Sequence, residues 1–513
     1  MRVILSGMNI DIERLADYRR RAASVRAGLS AGPAKVPDEV ITFLDDFSQS
    51  QDLTPETLSA GYARISRDPR PVDEVRRDAA KEIQRARRSN KAIIFGMGHS
   101  SIAEHAVFNL DIIGISRLAT EELQRTRLAS YTEKSQRYIT LTGDYLVPEE
   151  IAAMGLSGRL AEVVSFLNTT YTSLNEGLTV LMEKKYPELW SDPRGRGVAE
   201  SYAKEDARYV MPLAALSQMG MTANSRVIEM TIRRLAAHPL AEVRELSARI
   251  FDAALPHAPS VMRHTDPTPY DTQTPAEIAD IAEQLARDAG GTGDDAIPLR
   301  LVDYTPDADD RLAAALLFGR GNRDFDSFKR TAKSLTGKQK ELLIGTAFSH
   351  IESYDRVLRE FELITLTYEA VVSASNFAQL KRHRMATIIA QDYDTGLGVQ
   401  IPPSIEEAGL TGTFREAIGR AQTLFEEVRK KNPRAAPYIL TNAHKRRVLI
   451  AVNLRELYHI ARLRMDKTAQ WDIRNLAAAM AEAARGVMPL ATRLLAGKDA
   501  FNEVRNRSGI APA

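Results

Sequence analysis

Residues 108–115, Phe-Asn-Leu-Asp-Ile-Ile-Gly-Ile, alternate apolar and polar side chains well enough to predict a strand with one buried face. Residues 116–129 follow with the Leu, Ala and Leu spacing of a helix. The order returns in the second half of the chain, where residues 361–372, rich in Thr, Leu and Ile, read as a strand entering another helix. Residues 157–185 and 415–430 both look helical and lie at comparable places after those strands, as a helical insertion in each half would. Between the halves the chain runs His264-Thr-Asp-Pro-Thr-Pro-Tyr-Asp-Thr-Gln-Thr-Pro275, a short helical stretch, then Gly290-Gly-Thr-Gly-Asp-Asp295. Such density of proline and glycine predicts a linker with one helix in it. The chain therefore divides into residues 1–260, a linker at 261–294, and residues 295–513.

Composition excludes several classes. With 513 residues, 44% hydrophobic and 27% charged, the chain can bury at least two cores. Lysine and arginine number 69 against 67 acids, a formal charge of +2 with no basic tail, so no DNA or RNA surface is expected. The short basic runs at 381–384 and 445–447 read as solvated faces. The opening Met-Arg-Val-Ile-Leu-Ser-Gly is too short for a signal peptide and no stretch reaches membrane-spanning length, which makes the cytoplasm the expected compartment. There is no cysteine, so a thiolate nucleophile is excluded. His99 and His105 are six apart, not the i, i+4 pairing of helical zinc motifs, and no metal site is expected.

Candidate chemistry concentrates in residues 125–138, Arg-Thr-Arg-Leu-Ala-Ser-Tyr-Thr-Glu-Lys-Ser-Gln-Arg-Tyr, a run too short to be one amphipathic face. Arg125 and Arg127 would project from the last turn of the preceding helix, where cations suit its dipole. Glu133, Ser135 and Arg137 alternate in extended or looped chain, so their side chains share a direction. A hydroxyl beside a guanidinium fork is a natural phosphate grip, worth about 1.5–3 kcal/mol per charged hydrogen bond. The competing reading is a surface salt-bridge lattice of Arg125, Glu133 and Arg137.

This run resembles the signature of the flavin-dependent thymidylate synthases, an Arg-His-Arg triplet followed by Ser, Asn-Glu and Ser-x-Arg-Tyr, with Thr126 in place of the His and Thr132 in place of the Asn. Residues 99–105, His-Ser-Ser-Ile-Ala-Glu-His, match the family's His-x-Ser-x-x-Glu-His, which sits against the flavin. The resemblance implies an α/β (α+β) fold, a mostly antiparallel sheet with packed helices. It also implies a reaction that needs no cysteine: reduced FAD delivers hydride, methylenetetrahydrofolate gives the methylene, NADPH reduces the flavin, and dUMP becomes dTMP. In the second half the signature returns broken. Gln379-Leu-Lys-Arg382-His383-Arg384 restores the Arg-His-Arg, but Ile388-Ile-Ala-Gln-Asp-Tyr393 carries neither the Glu nor the Ser-x-Arg. The chain reads as a tandem duplication, two fused repeats of that fold, the second degenerate.

Residues 206–212, Asp-Ala-Arg-Tyr-Val-Met-Pro, resemble the family's Ala-Arg-Tyr-Val-Leu-Pro, whose arginine helps hold the nucleotide. Asn224-Ser-Arg226 and Asn453-Leu-Arg455 resemble an Asn-x-Arg that meets the flavin, and an arginine eleven past the Asn lies over the pyrimidine. Repeat two has His459 and Arg464 to match; repeat one has Met230, and Arg233 or Arg234 only if one residue is skipped. The resemblance thus assigns Glu122, Glu133, Ser135, Gln136, Arg137, Arg208, Gln379 and Arg464 to the substrate, with Glu133, Ser135 and Arg464 nearest the chemistry. To FAD it assigns His99, Ser101, Arg125, Arg127, Arg382, His383, Arg384, Asn453, Arg455 and His459. Because family sites are shared among four subunits, a fused pair is expected to form a homodimer, a pseudo-tetramer, with each surviving site built from both repeats. Asn453, Arg455 and His459 also fit an ordinary polar helix face. Glu122 departs from the pattern, since the family has Gln there and repeat two keeps Gln379. A carboxylate accepts from an exocyclic amine rather than donating to a carbonyl, so one alternative is methylation of another pyrimidine nucleotide or of uracil in RNA. The other is a non-catalytic nucleotide- or flavin-binding protein, suggested by Thr126, Thr132 and the broken second signature.

Overall fold

A computed structural model describes residues 1–30, 38–48, 53–139, 141, 143–288 and 297–509; the glycine-rich stretch 290–295 and the expected boundary at 294 lie outside them. The chain forms two compact units that cut across the repeats. The first comprises Met1–Ser135, Asp144–Ser157 and Ala214–Gly291, the second Gln136–Gly143, Gly158–Leu213 and Thr292–Ala513. The helical insertion of the first repeat therefore belongs to the second unit.

The strands are β1 (Arg2–Met8), β2 (Val107–Ser116), β3 (Ser130–Glu133), β4 (Leu216–Asn224), β5 (Leu299–Tyr304), β6 (Thr365–Ser373), β7 (Thr387–Ala390) and β8 (Lys445–Asn453). The helices that position the site are α1 (Arg117–Gln124), α2 (Ser157–Lys185), α3 (Pro193–Ala207), α4 (Ser225–Ala236), α5 (Ala241–Ala254), α6 (Ala374–Leu380), α7 (Thr411–Lys431), α8 (Leu454–Arg464) and α9 (Trp471–Arg485). Each unit holds one four-stranded antiparallel sheet, in the order β1-β2-β4-β3 and β5-β6-β8-β7. The expected antiparallel α+β architecture is thus present twice.

Alternation explains the strands. On β2, Phe108, Leu110 and Ile112 are buried while Asn109 and Asp111 face out. On β6, Leu366, Tyr368, Ala370 and Val372 go inward in the same way. In the second unit that face joins Ile450, Val452, Leu457, Phe361 and Met480 in one core.

The duplication is visible in side-chain detail. Arg226 donates to Glu104 at 2.6 Å and Arg455 to Glu362 at 2.8 Å. The Ser116 hydroxyl donates to Glu242 at 2.6 Å, and the Ser373 hydroxyl to Asp472 at 2.6 Å. Asn224 and Asn453 both cap the helix that follows them, accepting from the amides of Val227 and Glu456.

Three expectations are corrected. The helix expected to reach residue 129 stops at Gln124, because Tyr131 donates its hydroxyl to the Leu123 and Thr126 carbonyls and closes the end early. The strand expected from residue 361 begins at Thr365, after a single 3-10 turn at Arg359–Leu363 that sends Phe361 into the core. The basic run at 381–384 is not a solvated face, since Lys381 and His383 are buried.

Candidate active site

Within the second unit, residues from both repeats meet. Arg137, in a turn, donates to the Glu205 carboxylate and, at 3.2 Å, to the Thr468 carbonyl, and lies over the Tyr138 ring. Gln136 accepts from Asn442. Arg208, buried at the end of α3, donates to the Glu205 carbonyl and to the Ser375 hydroxyl at 2.8 Å. From repeat two, Arg464 at the end of α8 donates from Nε to His383 Nε2 at 2.9 Å and from Nη2 to the Gln379 carbonyl at 3.2 Å. A guanidinium can only donate, so His383 Nε2 is the bare nitrogen and the ring is neutral. Burial, with Arg464 and Arg382 close by, pulls His383 down to about 3, in keeping with that tautomer. Burial, reinforced by Arg382 and Arg137, lowers Arg464 to about 10, which leaves it cationic at neutral pH.

Under these groups runs a buried chain that the motifs did not reveal. The Gln379 amide donates to Gln470 Oε1 at 3.2 Å, Gln470 Nε2 donates to the Tyr209 hydroxyl at 2.8 Å, and Tyr209 donates to Asp472 Oδ2 at 3.0 Å. Asp472 also accepts from Ser373 and from Asn376. Gln470 caps α9, and a cap at that place in the sequence was the one signal that could have singled it out. Next to this chain Asp206 accepts from Ser404 and from the Trp471 indole at 2.7 Å; burial raises its carboxyl to about 6 against those two bonds.

The remaining expected residues are dispersed. Arg382, Arg384 and His459 are exposed, with the His459 ring 5.9 Å from that of His383. Asn453 is engaged as a cap, and Arg455 in its ion pair and a bond to the Val357 carbonyl. Glu133 and Ser135 fall in the first unit, where Glu133 is gripped by Arg117 at 2.7 Å, Gln124 and Ser217. β3 ends at Glu133, and Ser135 and Arg137 follow it in looped chain. His99 and Ser101 are exposed on the short turn after Gly98, whose φ of 77° only glycine adopts freely.

The first unit repeats the arginine arrangement with other partners. Arg234 Nη2 donates to the Glu122 carbonyl at 2.8 Å and to the Thr126 hydroxyl at 3.1 Å, as Arg464 does to Gln379 and His383. Arg234 is thus the counterpart of Arg464, and the one-residue skip is real. Burial alone would raise the Glu122 carboxyl, but Arg125 at 3.1 Å, His238 and Arg234 outweigh it and hold it low. The carboxylate that replaces glutamine is therefore neutralised by its own unit's cations.

A family model described as thymidylate synthase complementing protein matches residues 50–260 and again 300–490. The chain belongs to that family. Two copies of the family's fold in one chain account for the paired ion pairs, caps and arginines. A "UPF0159 protein" of Chlamydia muridarum is 24% identical over 80% of this chain and 81% of its own length, and another from Thermoplasma acidophilum is 22% identical over 84% and 92%. A "Flavin-dependent thymidylate synthase" of Clostridium tetani is 30% identical over 42% of this chain and 83% of its own length. The first two are similar to this family member across both repeats, the third across a stretch of about one.

Proposed function

We propose that the chain is an FAD-dependent thymidylate synthase converting dUMP to dTMP, with methylenetetrahydrofolate as carbon donor and NADPH as reductant. The reading rests on one observation: Arg464 of repeat two lies within electrostatic reach of Arg382 and of Arg137 of repeat one, and Arg137 and Arg208 both bond Glu205, at its carboxylate and its backbone carbonyl. The Glu205 carboxylate balances one of these guanidiniums, and the remaining positive charge favours a further anion among them. A nucleotide monophosphate supplies that anion, and each charged hydrogen bond adds about 1.5–3 kcal/mol.

Arg382, Arg384 and His459, exposed near the same cluster, fit the phosphates and ring of a flavin dinucleotide. Asn453 and Arg455 fit it less well, each being spent on local structure. FAD when bound would supply hydride. Arg464, held through Nε and Nη2, keeps Nη1 to stabilise charge developing on a uracil carbonyl. Buried Arg208 and half-buried Arg137 would anchor the phosphate.

Release of tritium from [5-³H]dUMP in the presence of FAD, methylenetetrahydrofolate and NADPH tests the reading. Arg464→Ala and Arg137→Ala should each lower kcat/KM by about 10- to 100-fold, the value of one charged hydrogen bond. Tight dUMP binding without release would make the chain a nucleotide-binding protein. Turnover of dCMP or of uracil in RNA in place of dUMP would transfer the chemistry to that substrate.

A further inference from the structure

We infer that Gln470 is a positioning residue that locks the side-chain amide of Gln379 in one orientation and thereby sets which pyrimidine edge the site accepts. The inference rests on the nucleotide reading above and adds to it a source of base selectivity.

Hydrogen-bond logic fixes the direction of every link. The backbone amides of Asp472 and Ile473 can only donate, and both point at the same side-chain atom of Gln470, which is therefore its oxygen. The other end of the amide, its nitrogen, then donates to the Tyr209 hydroxyl, and Tyr209 donates onward to the Asp472 carboxylate. Gln379 meets Gln470 at that same oxygen, so the Gln379 atom involved is its nitrogen. The Gln379 side-chain oxygen, Oε1, and one N–H of the same amide are left for a ligand, the bond from Arg464 going to the backbone carbonyl. Gln470 and Tyr209 are fully buried and Asp472 nearly so, so water does not compete for these bonds.

A freely rotating glutamine amide does not discriminate. Turned one way it matches the carbonyl and N3–H of uracil, turned over it matches the amino group and N3 of cytosine. Locked, it matches only one of them. Repeat one supplies an independent observation. Leu240 precedes α5 as Gln470 precedes α9, and it makes no side-chain cap. In the same repeat Glu122 stands where repeat two has Gln379, and a carboxylate has no donor end to orient. The glutamine and its orienting partner are present together in one repeat and absent together from the other.

The test compares binding of dUMP and dCMP to the full-length protein by calorimetry. Gln470→Asn keeps a cap-competent side chain but is too short to reach Gln379, and Gln470→Met keeps the length without the acceptor. Both should lower the dUMP-to-dCMP affinity ratio by about tenfold or more, the scale on which a matched polar site rejects a mismatched one. Tyr209→Phe should leave the ratio unchanged, because the two backbone amides still orient Gln470. Folded Gln470→Asn protein with the wild-type ratio overturns the inference. So does wild-type protein that binds both nucleotides equally. Wild-type protein that binds neither overturns the nucleotide reading itself.

Discussion

Asp206 carries the clearest pH dependence at the level of single residues. Its carboxyl titrates at about 6 in the folded chain against an ordinary 3.8, burial being the cause. A folded-state value above the unfolded one means that its contribution is complete below about pH 4 and is lost as pH rises through 6, by at most about 3 kcal/mol. Asp206→Asn keeps an acceptor for the Trp471 indole and a donor for Ser404, so its melting temperature should gain on wild type between pH 5 and 7.5. A constant difference across that range in paired thermal melts would refute the assignment. The same scale shows what the sequence made legible. Arg137, Arg208, Gln379 and Arg464 stand out because charged or amide groups at fixed spacings are conspicuous, and the structure gathers them. Gln470, Ser375 and Asn442 were not legible, because their roles depend on partners a hundred residues or more away, or, for Gln470, on a helix end.

Helix ends decide the next scale. Asn453 accepts from the Glu456 amide at 2.8 Å and starts α8, the helix that carries Arg464 to His383. Asn453→Ala should destabilise the protein by about 1 kcal/mol, read as a lower urea midpoint, and Asn453→Asp should recover most of it. If Asn453→Ala left the midpoint unchanged and only weakened flavin retention, the residue would be a ligand and not a cap. Elements themselves were readable where periodicity was strong: β2 and β6 alternate cleanly, and α2 and α7 run through the stretches read as helical. Their ends were less so. Nothing in residues 125–129 announces that Tyr131 will take the carbonyls of the preceding helix, and nothing local assigns α2 to the unit of the second sheet.

For the whole molecule the two repeats have lost different things. The His-x-Ser-x-x-Glu-His motif survives only in repeat one, and in repeat two the positions before β6 keep Glu362 but have Val357 and Leu363 for the histidines. The Arg-His-Arg survives only in repeat two, and repeat one has Thr126 between Arg125 and Arg127. Arg208 has Pro437 as its counterpart before Tyr438. Neither repeat therefore retains a full set of cofactor and nucleotide residues, and the losses are complementary in sequence. Among the described residues no helix is long and apolar enough to cross a membrane. The expected outcome is one FAD per chain, released by denaturation and counted by absorbance, from a protein whose mass by light scattering is that of a homodimer. Two FAD per chain would mean that exposed Arg125 and Arg127 hold flavin despite Thr126. A fully active monomer would show that no residue need be lent between chains, and that fusion alone replaced the family's sharing of sites.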